Sequence, residues 1–468
     1  MEDNHQERSS SDLDTTSNQL TNMEEDEAFD DNETLYEKYA SERQQLKDDN
    51  KVLFWFISIF NWTNQNFFNQ FFSAFARLVG VSATILGFLM SIRNLLRGLF
   101  QGMIGRLSDQ FGRRTILIIG FFLSFIITIP LIFFESTILL IVVSIVQAFA
   151  VSVVVPTWNA VLGDVTQPKY RAAFIGKIAS IGRLISVIFT LFVALIFFLT
   201  DEVFYGQQLW GWTIDIPWRI QYSIAFGISS FNALLCIICV FLMKETRKVD
   251  SENVKIPKIF VAFQDKDFVK FLVINSFFGI TMSLIWPLNP IVLIDVLDLS
   301  FPQVAIMSAS FAIFIGAAQI LGGKLADMLG RKPLAIISVA TLVFFPVSMI
   351  PAIITNNWSL LIISRFVGGI GTGLNLVALN AYVLDIAPRD LMGGYSGLRQ
   401  VLYGVATFIG SFAAGFIIDA LLKSYTLYSV TIAFSITVSC LRALAAFGFI
   451  FITESLPAKN KRQIKDKT

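Results

Sequence analysis

Apolar runs long enough to cross a bilayer recur along almost the whole chain, and they constrain its fold more than any other feature. A transmembrane helix needs about 20 mostly apolar residues to cross about 30 Å of hydrocarbon. Only 15% of the 468 residues are charged, whereas soluble domains are nearer about 25%. Twelve runs meet the length, near 52–76, 82–108, 114–134, 137–161, 171–199, 218–243, 268–294, 302–325, 333–353, 358–384, 392–421 and 425–452. We therefore predict an all-α membrane protein with twelve transmembrane helices, here called spans one to twelve.

The connections between the spans alternate in charge. One set is basic and includes Arg106, Arg113, Arg114, Lys169, Arg171, Lys244, Arg247, Lys248, Lys324, Arg331, Lys332 and Arg389. The other set carries mainly Glu135, Asp201, Glu202, Asp215, Asp295 and Asp298. The positive-inside rule places the basic set, and with it both termini, in the cytoplasm of a multi-pass plasma-membrane protein. We call this basic end of the spans the inner end and the opposite one the outer end.

The longest basic connection, residues 244–267, divides the spans into two sets of six. The predicted units are thus two six-helix bundles, 52–243 and 268–453, with a basic tail at 454–468. The first 50 residues hold 16 acidic and four basic side chains and few aromatics. Such a composition predicts a disordered acidic cytoplasmic tail over 1–51, and it does not match a signal peptide.

The two halves repeat each other at equivalent positions. The decapeptide "GRLSDQFGRR" begins at Gly105, and "GKLADMLGRK" begins 218 residues later at Gly323. Each follows the second span of its half. In the same way "LGDVTQPKYRAAFIG" after span four parallels "LDIAPRDLMGGYSG" after span ten. Two repeats in register indicate a duplicated six-helix unit.

These decapeptides resemble the signature of the major facilitator superfamily, Gly-x-x-x-Asp-(basic)-x-Gly-(basic)-(basic), and the resemblance extends over about residues 52–453. The matching residues are Gly105, Asp109, Gly112, Arg113 and Arg114 in the first copy and Gly323, Asp327, Gly330, Arg331 and Lys332 in the second. Gln110 and Met328 depart from the pattern, because the family often has a basic residue there. The resemblance implies a secondary transporter whose two bundles rock around a central cavity lined by spans one, four, seven and ten.

The acidic residue of the first signature is a candidate gate. Asp109 ends span two, where its carboxylate could cap the N-terminus of span eleven near Gly393–Tyr395, favoured by the helix dipole. Such a contact can form only while the inner side is shut, so we expect Asp109 to act as a latch. The alternative is a charge that merely orients the loop.

Enzyme and cofactor chemistry has little support in the sequence. The single histidine, His5, lies in the acidic tail, and the three cysteines, Cys236, Cys239 and Cys440, lie in apolar runs without metal-ligand spacing. We expect no catalytic residue, no metal, no cofactor and no nucleic-acid partner. The expected partners are the lipid bilayer and a small-molecule solute, bound by a functional monomer.

Arginines inside the spans are the strongest indication of the solute. Arg93 precedes Gly105 by 12 residues, about 18 Å along a helix, and so lies near mid-membrane. Arg97 follows one turn later, and Arg183 of span five lies at a similar depth. Each charge at the bilayer centre costs at least about 2.5–3.5 kcal/mol, and no Asp or Glu falls in the middle of any span. A negatively charged solute would compensate them; the alternative is snorkelling or bonding to backbone carbonyls.

Amides form a second set of candidates. Span one reads "FNWTNQNFFNQFF", in which Asn61, Gln65 and Asn69 recur every four residues on one helical face. Gln147 in span four and Asn375 in span ten extend the predicted substrate-binding set. The alternative reading is helix–helix adhesion by buried amides.

Three functions are compatible with these patterns. The leading one is a transporter that moves a small organic or inorganic anion by alternating access. The second is an exporter of hydrophobic drugs whose arginines are structural. The third is a membrane sensor built on a transporter fold, for which the acidic tail is the best support.

Overall fold

The computed structural model describes residues 7–166, 171–200, 208–209, 212–213, 216–246, 259–388 and 391–455, and nearly all of them are helical. The first half contains α1 (Glu7–Leu78), α2 (Ala83–Phe111), α3 (Arg113–Thr128), α4 (Pro130–Phe133), α5 (Thr137–Asp164), α6 (Arg171–Phe198) and α7 (Trp218–Leu242). Before α7, the two-residue strands β1 (Gln208–Leu209) and β2 (Trp212–Thr213) pair antiparallel at the outer end.

The second half follows the same plan. Its helices are α8 (Lys266–Ser283), α9 (Leu288–Ile291), α10 (Phe301–Leu329), α11 (Arg331–Val347), α12 (Ile350–Thr355), α13 (Leu361–Ile386), α14 (Met392–Leu421) and α15 (Leu427–Gly448). A π-helix, Val292–Val296, extends α9, and short 3₁₀ helices occupy Ile259–Gln264, Trp358–Leu360 and Phe449–Phe451. Spans seven and nine are interrupted by proline-containing turns, as α8 ends before Pro287 and α11 contains Pro346. Proline has no N–H for a helix hydrogen bond, which accounts for the break of span seven before Pro287.

The predicted all-α fold with twelve spans is confirmed. Within the described ranges, eleven helical segments are long and apolar enough to cross a membrane. The remaining span is the part of α1 after residue 52, whose six amides lower its hydropathy. Four of those amides have polar surroundings, because Asn64 and Asn66 bond hydroxyls of other helices and Asn66, Asn69 and Gln70 line a cavity.

The structure describes part of the acidic segment as helix, while the disordered tail predicted over 1–51 stays a prediction. Helix α1 begins at Glu7 and continues without a break into span one. Glu, Gln, Lys, Leu and Ala are common between residues 24 and 47, and all are strong helix formers. The last turns before the membrane also dock on the first bundle. The Lys244 N–H donates to Asn50 Oδ1 at 2.9 Å, and the Lys47 ammonium lies 4.8 Å from the centre of the Phe174 ring.

Helices α2 and α14 form the closest contact between the halves. A Cβ added at Gly98 would lie 2.6 Å from the Gln400 carbonyl oxygen, and one added at Gly404 would lie 2.5 Å from that of Asn94. Gly87 and Gly415 meet backbone of the facing helix in the same way. Glycines let two helix backbones approach this closely without side chains between them. The second contact between the halves is α6 against α10.

Candidate functional site

A central cavity of about 460 Å³ lies between the two halves. Its wall is mostly aromatic and apolar, with Trp62, Met90, Met282, Trp286, Met307, Phe311 and Phe345 among the lining residues. Its polar side chains are chiefly amides and hydroxyls: Asn66, Asn69, Gln70, Ser73, Asn289 and Ser308. Spans one, seven and ten line it as the resemblance implied, but no described residue of span four does, and spans two, five, eight and nine contribute instead.

Two arginines give the cavity its charge. Arg183 on α6 donates to Gln319 Oε1 at 2.9 Å, and its guanidinium lies 4.3 Å from the centre of the Trp62 ring. Arg365 on α13 is 6% exposed and donates to Asn289 Oδ1 at 3.0 Å. No Asp or Glu is among the described residues that line the cavity. The cavity is therefore positively charged with an apolar wall.

A smaller side chamber of about 70 Å³ adjoins the cavity inside the first bundle. It lies between spans one, two and four and is lined by Phe68, Asn69, Phe72, Ser73, Leu89, Met90, Arg93, Ser144, Gln147 and Ala148. Asn69, Ser73 and Met90 line both spaces. The Arg93 guanidinium donates to Asn69 Oδ1, so this arginine links spans one and two.

Arginines deep in the membrane and arginines at the span ends have different partners. We call deep those arginines within the spans that bond an amide oxygen, namely Arg93 with Asn69, Arg183 with Gln319, Arg365 with Asn289 and Arg399 with Asn380. The pairs at the ends are Arg77–Asp295, Arg219–Glu135, Arg113–Asp164 and Arg331–Asp385. An amide oxygen accepts a hydrogen bond but carries no charge to neutralise the cation. The deep arginines therefore retain an uncompensated positive charge.

The other predicted binding residues occupy different surroundings. Gln65 donates to Asn61 Oδ1 at 2.9 Å, and neither residue lines the cavity or the chamber. Asn375 donates to Ser338 Oγ at 3.2 Å, which joins α13 to α11 within the second bundle. Arg97 lines neither space, and its Nε is buried without a hydrogen-bond partner among the described residues. Of the predicted substrate-binding residues, Arg93, Asn69 and Gln147 line the chamber. Arg183 and Asn69 line the cavity.

Sequence reasoning missed several cavity residues. On span one the wall is formed by Trp62, Asn66 and Gln70 rather than by Asn61 and Gln65. The Asn66 amide donates to Ser186 Oγ at 2.9 Å and accepts from Gln70, which continues the polar wall toward α6. Arg365 was also missed as a site residue. Its signal was a lone arginine in an apolar span, the same signal that identified Arg93.

The first signature copy forms a network at the inner end. Gly112 has φ +86°, a conformation that favours glycine. The Arg113 side chain pairs with Asp164 at 3.1 Å, and the N–H groups of Arg113 and Arg114 donate to the Glu245 carboxylate at 3.1 Å each. Glu245, which follows span six, thus caps the N-terminus of α3. The Asp109 side chain lies outside the described part, so its latch role stays a prediction.

The second copy repeats this arrangement in the second bundle. Gly330 has φ +104°, and the Arg331 N–H donates to Glu454 at 2.9 Å. The Arg331 side chain pairs with Asp385 at 2.9 Å and with Asp327 at 2.8 Å. A Cβ added at Gly323, by contrast, would touch no other heavy atom. Lys332 is half-buried beside Arg331. The equivalent partners of Arg113 and Arg331 agree with the predicted duplication.

The outer end of the cavity is closed by contacts between the halves. The rings of Phe71 and Phe301 stack with centroids 4.2 Å apart. The Asp419 carboxylate at the end of α14 accepts the N–H groups of Ala83 and Thr84 at 2.9 and 2.8 Å, and so caps the N-terminus of α2. Arg77 pairs with Asp295 nearby. Asp419 is thus an outer counterpart of the latch predicted for Asp109. At the outer end an acid of α14 caps α2, whereas in the predicted inner latch an acid of α2 caps α14.

Comparison with a family model assigns the chain. The model described as Major Facilitator Superfamily matches residues 54–272 and again 271–467. The two matches coincide with the two bundles and together cover most of the chain. The chain therefore belongs to the Major Facilitator Superfamily and is a multi-pass integral membrane protein.

Curated relatives match over part of their length. Multidrug resistance protein 3 of Bacillus subtilis (strain 168) is 30% identical over 164 residues, which is 34% of this chain and 31% of the relative. Quinolone resistance protein NorA of Staphylococcus aureus (strain Mu50 / ATCC 700699) is 29% identical over 143 residues, 31% of this chain and 35% of the relative. The matched region thus spans about a third of each relative's length.

Solved structures share the fold over most of the chain. The nucleoside transporter NupG superposes with a TM-score of 0.67 at 11% identity, covering 86% of this chain and 99% of NupG. A bacterial homolog of the human lysosomal transporter Spinster, in an inward-facing and unoccupied conformation, gives 0.62 at 16% identity over 90% of this chain and 98% of that chain. At these identities the likeness establishes the fold alone.

Proposed function

We propose that this member of the Major Facilitator Superfamily is a transporter of an organic anion with an apolar body, which it moves across the membrane by alternating access. The observation that carries the proposal is the pairing of Arg183 and Arg365 with amides instead of carboxylates. Both arginines line one cavity, one from each half. A solute bound between them would bring the negative charge that the cavity lacks.

Burial makes the positive charges of Arg183 and Arg365 costly. A buried cation without a counter-charge is costly, and a bidentate carboxylate or phosphate is the partner that a guanidinium binds best. Gln319 and Asn289 hold the two side chains in place while the cavity is empty. An arriving carboxylate can replace or join these amides without leaving any carboxylate of the protein unpaired.

The wall of the cavity supports the apolar part of the solute. Trp62, Trp286, Phe311 and Phe345 offer ring faces and edges, and three methionines offer adaptable contacts. Cavities of about 300–1,000 Å³ are typical for drug-sized ligands. A volume of about 460 Å³ is therefore adequate for an aromatic acid of moderate size.

The contacts at the outer and inner ends of the spans support alternating access. The outer end is held by the contact of Asp419 of α14 with the N-terminus of α2 and by the Phe71–Phe301 stack, both between halves. The signature networks around Arg113 and Arg331 each lie within one half. Breaking the outer contacts would let the bundles tilt as rigid bodies over the glycine-rich face between α2 and α14. We expect Asp109 to form the opposite latch when the inner end closes.

Export of hydrophobic drugs is the second candidate function. It is favoured by the likeness to a multidrug resistance protein and to a quinolone resistance protein, and by the apolar wall of the cavity. The two candidates differ in charge requirement. An anion carrier needs a negative group on its solute, whereas an exporter of lipophilic drugs accepts neutral and cationic compounds.

Matched ligands test this difference. We expect 2-naphthoate to raise the melting temperature of the purified protein more than 2-naphthamide or 2-naphthylmethylamine, because the three share a ring system and differ in charge. The naphthoate effect should be lost in Arg183→Gln and Arg365→Gln and retained in Arg219→Gln, whose arginine pairs with Glu135 at the outer end. Preference for the amine or the amide would favour the drug exporter. A protein that binds but moves no labelled solute into proteoliposomes would instead be a sensor.

A further inference from the structure

The side chamber next to the cavity has its own charge and its own donors. All ten lining residues belong to spans one, two and four, so the chamber lies wholly inside the first bundle. Arg93 is its single charged lining residue among those the structure describes. A guanidinium carries five N–H donors, and the Asn69 oxygen is a neutral acceptor. The chamber is therefore a cationic space with a donor surplus.

Gln147 adds an unsatisfied group to this space. Its side chain is 2% exposed, its Nε2 donates to Ser124 Oγ at 3.0 Å, and its Oε1 has no hydrogen-bond partner in the described part of the chain. Asn64 Nδ2 donates to the same Ser124 oxygen at 3.1 Å. Both acceptor positions of that hydroxyl are thus used by amides, while a buried amide oxygen is left without a donor.

Rotation of the Gln147 amide removes this conflict. The Ser124 hydroxyl has one hydrogen to donate, and after the rotation it can donate to Gln147 Oε1 while still accepting from Asn64. The Nε2 group of Gln147, a residue that lines the chamber, then takes the buried position of the unpartnered oxygen and has free N–H donors. A buried donor without an acceptor costs about 1–3 kcal/mol, so this arrangement is stable only when an acceptor occupies the chamber.

We propose that the side chamber is a binding site for a free compact monovalent anion, such as a halide or formate, held between the Arg93 guanidinium and the Gln147 amide. The site is separate from the organic solute of the central cavity and does not depend on it. Because every lining residue belongs to one bundle, rocking of the halves leaves the site intact. The anion would neutralise Arg93 throughout the transport cycle.

The size of the chamber limits the ligand. On the same measure about 10–15 Å³ already holds one water molecule, so 70 Å³ accommodates one small ion with a few water molecules. Phe68, Phe72 and Leu89 form the apolar part of the wall and offer no donor to a larger, more strongly hydrated anion. We therefore expect chloride, bromide and formate to bind and gluconate and sulfate to be excluded.

Thermal unfolding of the full chain at constant ionic strength tests the site with sodium chloride, sodium formate and sodium gluconate as probes. We expect saturable stabilisation by chloride and formate relative to gluconate. Arg93→Gln should weaken the apparent affinity about tenfold or more, because it removes a charged hydrogen bond. Gln147→Leu should weaken it by a smaller factor, and Arg93→Lys should retain part of it.

Arg183→Gln and Arg365→Gln are the matched controls, since both remove a deep cation from the cavity and leave the chamber unchanged. Chloride stabilisation should persist in both even where naphthoate binding is lost, which separates this site from the proposed function. Equal stabilisation by chloride and gluconate would overturn the inference. So would a chloride effect that is unchanged in folded Arg93→Gln or Arg93→Lys protein, or one lost in the control variants alone.

Discussion

At the scale of single residues, the arginines proposed to bind the solute differ in their partners from Arg442. Arg442 on α15 is fully buried, and it donates to the carbonyl oxygens of Leu342 and Met282 at 2.9 Å and of Thr281 at 3.3 Å. Two of these carbonyls belong to the last turn of α8, where the helix ends and its carbonyls lack intrahelical donors. Arg442 therefore caps an interrupted helix, and its charge also favours the helix C-terminus.

This difference predicts opposite phenotypes for two buried arginines. Arg365→Gln should weaken solute binding by about 2–5 kcal/mol, since it removes a desolvated partner of the anion, and should change stability little. Arg442→Gln should lower the free energy of unfolding by about 1–3 kcal/mol by leaving carbonyls unpaired, with solute affinity nearly unchanged. Melting curves with and without ligand measure both quantities. Equal effects of the two variants on binding would contradict the assignment.

The sequence indicated which arginines are buried but not what each one contacts. Arg93 and Arg183 stood out because they interrupt apolar spans, and both line a water-accessible space. The sequence predicted a different face of span one for the cavity than the structure shows. A four-residue spacing of amides defines a stripe along a helix but does not show which neighbouring helix that stripe contacts. Several stripes fit the same stretch, and packing against α6 selected the one that contains Asn66.

At the scale of helices, the outer latch joins α14 to the N-terminus of α2. Asp419→Asn should favour opening of the outer end, because it removes a charge that two N–H groups and the helix dipole stabilise by about 0.5–2 kcal/mol. Ser73 lines the closed cavity. A cysteine placed at Ser73 should therefore react faster with a membrane-impermeant thiol reagent in the Asp419→Asn background.

Asp298→Asn is the matched control for this experiment. Asp298 is an exposed acid at the same end with φ +48°, a conformation that asparagine also accepts. Its replacement should leave the reaction rate of the cysteine at position 73 unchanged. The latch assignment fails if Asp419→Asn and Asp298→Asn give the same rate as the parent protein.

The sequence identified the signature motifs, but it did not identify the carboxylates that the motifs bind. Gly112 and Gly330 were expected from the repeat, and the positive φ of both explains why glycine occupies the turn. Glu245 and Glu454 come from "MKETRK" and "ITESLPAK", which lie far from the motifs along the chain. Only the fold shows that each carboxylate caps the helix that begins with the motif's arginine.

At the scale of the whole molecule, we predict that the acidic N-terminal segment is dispensable for transport. The described contacts with the bundle begin near its end, at Leu46, Lys47 and Asn50. We expect deletion of residues 2–45 to leave the rate of solute flux per folded protein within about twofold, because no residue of the segment is among the described residues that line the cavity or the chamber. Extending the deletion through Asn50 is the comparison, and it should lower stability. Loss of flux in the shorter deletion would show a regulatory role for the segment.

The predicted orientation also belongs to this scale. The basic loops and both termini are expected in the cytoplasm, since lysine and arginine concentrate at that end. Single cysteines at position 250, in the 244–267 connection, and at position 206, in the 200–217 connection, should react from opposite sides of the membrane. Labelling of position 206 from the cytoplasm would reverse the inner and outer assignments of every contact described above.

The twelve-span, two-bundle architecture followed from hydropathy, loop charge and the internal repeat, because each depends on local sequence alone. The cavity did not follow, since it depends on how the bundles meet. Its volume and closed outer end result from the Phe71–Phe301 stack and the glycine contacts between α2 and α14. These residues look like ordinary apolar and small positions in the sequence.

If the membrane-buried arginines make this protein a carrier of anions, its transport must depend on the negative charge of the solute. The measurement is uptake of radiolabelled 2-naphthoate into proteoliposomes, set against a neutral and a cationic analogue of the same ring system. We expect saturable, protein-dependent uptake of the carboxylate that falls at least about tenfold in Arg183→Gln and in Arg365→Gln, and no protein-dependent uptake of the amine. Transport of the amine or the amide at an equal or higher rate, unaffected by either substitution, would contradict it.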